Sequence, residues 1–560
     1  MKIVLILIQL TFFKIIIMCN RKLISMFIIP NPFRMKKSVP ANLLFIFLLL
    51  ILSFCQGDKP TTQDKETPPG KDRNMFGHRI PRGLTVTTEG LTDGYVMFAV
   101  PNSASVYLVN RRGEVVHEWK GNYAVMGAYL NDDGSLVQNA TDPDFPVFAG
   151  GGESGRIQKI SWEGKILWDF EYANDLYHAH HDFTVMPNGN ILAIAWEART
   201  FDEVIAAGRN PDFTPKAGLW PDKIVEIEPQ GERGGKIIWE WRIWDHLIQD
   251  HDASKANYGN PAEHPELLDF NITDSLPPLI SRDSMDILIS QDRARRNETP
   301  ENRGSDVYHV NAVKYHADLD QIVFSSPNLS EVFIIDHSTT TKEAAGHTGG
   351  RWGKGGDFLY RWGNPENYRR GDSTHRRLYH QHDVRWIEKG KPGAGNLTVF
   401  NNGIPNKDTL NYSAIYEITV PTDQKGNYLL EEGGIFAPPD PSWTYIAEDT
   451  VSFFSSFVSG AHRMHNGHTF INEGARGRFF EVTEDGAIVW EYLNPYRGEI
   501  RKLNGDPNPP MPLTYFQFRS TFIPADHPAF ANRKLAPLDP QPKVFTLPPP
   551  PEKQENDKGS

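Results

Sequence analysis

One phrase recurs through this chain: an apolar alternation ending in Ile or Val, a polar turn with glycine, and an apolar run that closes on tryptophan. It runs from Val106 to Trp119 around Gly113, from Ile157 to Phe170 around Gly164, and from Ile224 to Trp241. It returns loosely from Val332 to Trp362, in part at Ile415-Tyr-Glu-Ile-Thr, and cleanly from Phe479 to Tyr492 around Gly486. Period-two alternation about a glycine turn is a β-hairpin. Six such hairpins at irregular spacings of about 50–100 residues predict an all-β chain, a six-bladed β-propeller over 86–535. A β-sandwich array would need linkers between domain-sized units, and none is visible. Helical periodicity is weak, apart from a short stretch within the 252–305 insertion.

A second hairpin precedes several of these and carries the chemistry. It starts at His181-Asp-Phe-Thr-Val-Met-Pro-Asn-Gly189, with relatives around Gly134 and Gly467, where Asn-Gly and Asp-Gly suit a tight turn. Further members start at His309-Val-Asn-Ala-Val and at His382-Asp-Val-Arg-Trp. Aligning Met186, Lys314, Ile387, Met464 and Leu130 places His181, His309 and His382 in one column, with Val125 and Ser459 in the other two copies. The innermost strand of each blade faces the central channel, so one column makes one ring. Three histidines in that ring converge near the channel mouth, and Asn311 points the same way as His309. Such a trio could hold a metal, act as nucleophile and general acid/base, or bind an anion when protonated. Taken singly, each histidine reads as structural, with His181-Asp182 and His382-Asp383 as turn-facing pairs of a repeat.

Other chemistries drop out. With 58 Lys+Arg against 70 Asp+Glu, the net charge is −12, so nothing draws the chain as a whole to nucleic acid. The two cysteines, Cys19 and Cys55, leave the body without a cysteine nucleophile or ligand. Gly349-Gly-Arg-Trp-Gly-Lys354-Gly-Gly has the wrong spacing for a phosphate loop, and no Gly-x-Ser-x-Gly elbow occurs. No resident metal and no cofactor are expected. Residues 1–55 read as a targeting region. Met35-Lys-Lys, the apolar run 43–52 and Leu52-Ser53-Phe54-Cys55 suggest a start at Met35 and a lipidated Cys55. A pair of membrane helices, acting as a signal anchor, is the alternative. Residues 56–85 read as a polar tether and 536–560 as a Pro-rich disordered tail. The expected location is exported: periplasmic or cell-envelope, held to the membrane by the lipid or signal anchor.

The ordered set of motifs resembles the bacterial aryl-sulfate sulfotransferases. The matching stretches are His180-His-Asp-Phe-Thr-Val-Met-Pro-Asn-Gly-Asn, Tyr308-His-Val-Asn-Ala-Val, Ile335-Asp-His-Ser-Thr-Thr with Gly346-His-Thr-Gly-Gly, Arg361-Trp-Gly-Asn-Pro and His380-Gln-His-Asp-Val-Arg-Trp. The resemblance covers about Gly83 to Phe530. It implies a six-bladed propeller that moves a sulfuryl group from an aryl sulfate to a phenol, without a nucleotide cofactor and in ping-pong order. By this resemblance His382 is the nucleophile, His181 and His309 are catalytic, and Asn311 and His180 bind substrate. Two departures stand out. Ser325-Ser-Pro327-Asn328 occupies the region where the family commonly has an arginine, which Arg463 or Arg519 would have to replace. Some members also carry an N-terminal β-sandwich used for dimerisation; with only the polar tether 56–85 between Cys55 and the first blade, that dimer mode is not expected here. A surface-anchored, non-catalytic ligand-binding propeller and a metal-dependent hydrolase using the channel histidines are the competing readings.

Overall fold

The computed structural model describes residues 81–142, 147–272, 280–290, 298–407, 410–498 and 515–546. All lie in one compact unit, Thr67–Ser560, and the expected targeting region, Cys55 and most of the tether lie outside them. Among the described residues no helix is long and apolar enough to cross a membrane.

Six antiparallel sheets form the six blades of a propeller. Blades 2 to 5 are consecutive meanders whose innermost strands are Val125–Leu130, Tyr177–Val185, Ala312–His316 and His382–Trp386. Blade 6 begins with Gly460–Arg463, and Gly83–Thr87 adds itself to the outer strand Ile488–Leu493. Blade 1 takes its innermost strand, Ser520–Pro524, from the far end of the chain, pairing it with Gly94–Ala99. The two chain ends therefore close the ring twice, once outside and once inside. The helical stretch expected within 252–305 is Arg282–Ser290.

The tail is held further than its composition suggests. Val115 N donates to the Gln541 side chain at 2.8 Å, Leu538 N donates to Val115 O, and Phe545 N donates to Pro495 O. Through residue 546 it is bonded along blades 1 and 6, not loose.

The recurring phrase fixes how blades meet. Apolar residues packed between adjacent sheets form six cores, one for each pair of neighbours. In blades 2 to 6 an outer-strand tryptophan reaches the next blade with its indole N–H, whereas Trp119, its counterpart in blade 1, only packs edge to face on Trp162 of blade 2. Trp168 donates to Gly234 O at 2.8 Å, Trp241 to Gly356 O at 2.7 Å and Trp362 to Pro438 O at 2.7 Å. Trp443 donates to Glu484 O at 2.9 Å, and Trp490 to Arg111 O at 3.0 Å across the closure. Each indole thus buries a large apolar surface and satisfies its one polar atom on a neighbour.

Trp490 is fully buried beneath the Arg111 guanidinium. Replacing it with phenylalanine keeps an aromatic ring but strands the Arg111 carbonyl, at a cost of about 1–3 kcal/mol. Thermal unfolding followed by circular dichroism should show Trp490→Phe melting several degrees below wild type. An unchanged midpoint would show that this bond does not support the closure.

Candidate active site

The three channel histidines come from three blades and meet. His181 and His309 approach edge to face with ring centroids 4.4 Å apart. His382 is tied to the His309 segment through Asn311, whose Nδ2 donates to the carbonyl of Gln381, the residue before His382, at 2.8 Å. They do not converge through one strand column, however. His181 lies inside Tyr177–Val185 and His382 opens His382–Trp386, whereas His309 lies in the connection that precedes Ala312–His316. Val185 and His316 are the last paired residues before their turns, so Met186 lies one residue past that point and Lys314 two residues short of it; Lys314 Nζ instead donates to Asp182 at 2.8 Å. The convergence survives because the approach to blade 4 folds inward over the mouth.

That inward fold uses unusual backbone. His181, His309, His380, Asp383, Val458 and Ser459 all have positive φ, between 49° and 90°. Left-handed backbone at non-glycine residues is costly and gathers where a site needs it, and for β-branched Val458 it is an outlier. Gly151 and Gly152 press against the rings. A Cβ on Gly152 would come 2.4 Å from His181 Cγ, and one on Gly151 would come 3.0 Å from His309 Cε1.

His382 is buried, and its ring is oriented from both sides. Nδ1 lies 2.8 Å from Asn402 Oδ1 and 3.1 Å from His380 O, while Val458 N donates to Nε2 at 3.2 Å. Oxygen acceptors at Nδ1 and a donor at Nε2 assign the proton to Nδ1 and the lone pair to Nε2. Asn402 is held by donating to Ser455 O at 2.8 Å and to Val458 O at 3.0 Å. Burial, and then the Arg519 charge, push the His382 imidazole down to about 3, so it is neutral near neutral pH.

His309 is the most open of the three and pairs through Nδ1 with Asp306. Trp196 Nε1 donates to the other Asp306 oxygen at 2.9 Å. Burial disfavours the Asp306 carboxylate, but His309 and the Trp196 bond outweigh it and hold it below its ordinary range. His180 lies behind, stacked on Trp196 with centroids 4.1 Å apart, its Nδ1 2.7 Å from His181 Nδ1 and its Nε2 2.9 Å from Asp222 Oδ1. Burial, then neighbouring Asp306, raise Asp222 well above the carboxylate range. His180 is thus a supporting residue, enclosed by protein.

Asn311 is also committed to protein. Its Nδ2 donates to Gln381 O at 2.8 Å and its Oδ1 accepts from Ser325 Oγ at 2.5 Å, fixing the residue before His382. Arg519 does reach the channel. Its terminal nitrogens donate to Ser459 O, Phe518 O and Asn311 O, and its Nε stands 3.1 Å from Asp383 Oδ1. It supplies positive charge beneath the histidines, with few N–H groups left for a bidentate grip. Arg463 is not brought to the cluster. It pairs with Glu417, donates to Gly467 O at 2.8 Å and lies over Trp443 near the hairpin turn at the other end of its strand.

Sequence reasoning missed Asp306, Asp222, Trp196 and Asn402. Asp306 had a local signal, a carboxylate three residues before a histidine. Asn402 had none, because it arrives from the second strand of blade 5, Leu397–Ile404.

The family model described as Arylsulfotransferase (ASST) matches residues 82–499. No curated protein matches the chain. Among solved structures, a protein of unknown function from Bacteroides caccae is 10% identical, with 72% of this chain and 94% of that chain covered and a TM-score of 0.37. A virginiamycin B lyase from Staphylococcus aureus is 11% identical, covering 74% and 89%, with a TM-score of 0.31. The periplasmic gluconolactonase of Pseudomonas aeruginosa is 11% identical, covering 72% and 96%, with a TM-score of 0.32. At TM-scores this low, nothing about this chain follows from them.

The buried imidazoles make stability pH-dependent. His180 and His382 are pushed down to about 3 and His178 to about 4, while His181 and His462 also fall well below the ordinary value, all mainly by burial. The unfolded chain takes up protons at these groups as pH falls through about 6.5, and the folded chain does not. Their effect is therefore absent above that pH and grows as pH falls towards about 4. Asp222, Glu197, Asp245, Asp269, Glu331 and His337 are raised in the fold and act in the opposite sense, but the carboxylates start from ordinary values of about 4, so apart from Asp222 they act chiefly below the range in which the imidazoles do. The urea midpoint should drop between roughly pH 7.5 and pH 5. An equal midpoint at both would show that these rings are not held neutral.

Proposed function

Because this chain belongs to the arylsulfotransferase family, we propose that it transfers a sulfuryl group from an aryl sulfate to a phenol through His382. The observation that carries this reading is the orientation of His382, a neutral ring whose Nδ1–H is held by Asn402 and whose Nε2 lone pair faces the mouth segment at Val458.

In the first half-reaction Nε2 of His382 attacks sulfur. The N–S bond forms and the S–O(aryl) bond breaks, its electron pair leaving on the phenolate oxygen. His309, when protonated, gives that oxygen its proton, and Asp306 stabilises the imidazolium beforehand. In the second, His309 takes the proton of an incoming phenol, whose oxygen attacks sulfur and breaks the N–S bond. Protons and charge balance over the cycle, and one nucleophile serves donor and acceptor in turn. The lone pair must leave the Val458 amide before attack, so entry of the donor displaces that contact. The positive charge of Arg519, close beneath, favours the sulfate oxygens. Attachment to the membrane through an N-terminal anchor, and export to the periplasm or cell envelope, complete the proposal. They rest on the apolar run 43–52 and Cys55.

His382→Ala should abolish both turnover and the mass increment of one sulfuryl group on the intact protein after donor is added. His309→Ala and His181→Ala should slow transfer by about 10²–10³ yet still accumulate adduct. Adduct mapping to another residue, or near wild-type transfer by His382→Ala, would refute the assignment. Asn402→Leu should lower the rate of adduct formation with little change in donor KM, because it alters the tautomer and leaves the pocket in place.

A further inference from the structure

Away from the channel, between the outer parts of blades 3 and 4, His246, His347 and Asp357 bring one ligand atom each to within 4.8 Å of one another. His246 ends the short turn Ile243–His246 that follows the outer strand of blade 3. His347 and Asp357 belong to the long connection of blade 4 that follows Thr341–Ala344. Both rings direct Nδ1 at the same oxygen, each 2.8 Å from Asp357 Oδ1.

The protons of His246 do not fit a simple hydrogen-bond reading. Its Nε2 is 2.8 Å from Ala344 O, an acceptor only, so Nε2 carries the hydrogen. A neutral ring then has only a lone pair at Nδ1, and that lone pair faces a carboxylate oxygen, also an acceptor. Either a second proton or a cation must stand between them. A backbone carbonyl on the far nitrogen is the usual outer partner of a metal-ligating histidine, since it fixes the tautomer. The surroundings are built to hold this ring. It is fully buried and stacked on Trp241 at 5.5 Å, whose indole N–H donates to Gly356 O. A Cβ on Gly356 would come 2.6 Å from His246 Nε2 and 2.0 Å from Ala344 O.

We propose that His246, His347 and Asp357 bind one divalent cation of the zinc type, tying the exit of blade 3 to the outer connection of blade 4. Two imidazoles and one carboxylate suit zinc or a similar borderline ion and leave a coordination position open. That position lies on the side of His347, which is 60% exposed. The ion shares no residue with the histidine cluster and takes no part in sulfuryl transfer, so the site stands or falls independently of that function.

The test uses the whole protein, stripped with a chelator and titrated with Co²⁺, whose visible absorption reports nitrogen and oxygen ligation. Wild type should take up one equivalent, and Zn²⁺ should displace it and raise the melting temperature. His347→Ala, an exposed change that leaves the buried ring in place, should weaken uptake by at least about tenfold and lose the Zn²⁺-dependent rise in melting temperature. Asp357→Asn should do the same, and His347→Ala should keep its sulfuryl transfer. Uptake by wild type no greater than by His347→Ala would overturn the proposal, leaving His246 as an imidazolium paired with Asp357. An equivalent retained at full affinity in His347→Ala would place the ion elsewhere and overturn it as well.

Discussion

A four-stranded blade has two apolar faces and is unable to cover either by itself, so every blade depends on both neighbours. Here the dependence has a specific carrier, the outer-strand tryptophan. Its indole fills an interblade core while its N–H is satisfied on the next blade, in five links that include Trp490 across the closure. A ring of this kind is stable only when complete. The chain completes it with both ends, Gly83–Thr87 on the outside of blade 6 and Ser520–Pro524 at the centre of blade 1.

The channel inherits its precision from that ring. Below the histidines, inward residues of several blades form a buried polar layer of Asp182, Asp383, Lys314, Arg385, Arg519 and Tyr129. Three cations against two carboxylates leave a surplus of one positive charge under the mouth. Burial lowers Lys314 to about 8 even with Asp182 beside it. Dipoles and charges held this way need no rearrangement when negative charge arrives, which is what stabilising a transferring sulfuryl group requires. Left-handed backbone at His181, His309 and Val458 is tolerated because the packed ring around it determines its course.

Much of this was legible in the residues. Alternation, glycine turns and closing tryptophans report local geometry, and local geometry is what a β-meander repeats; five of the six innermost strands could be read off as hairpins. The sixth was invisible, because Ser520–Pro524 and Gly94–Ala99 are neighbours in space but lie at opposite ends of the chain. The column alignment picked histidines that do lie together, but by a wrong register at Lys314. His309 escaped the consequence because it lies ahead of its strand, in a connection whose path alternation does not describe.

The sequence by itself determined the blade count, four of the five linking tryptophans and which histidines lie at the channel mouth, since each depends on residue type at short spacing. Only the tertiary structure decided the partners. It set Asn402 behind His382, Asp306 behind His309 and Arg519 beneath the cluster, and turned Arg463 away to Glu417. The physical reason is that hydrogen bonds and charge act through space over a few ångströms. Which side chains come that close across a closed ring is set by blade packing, which no local pattern encodes.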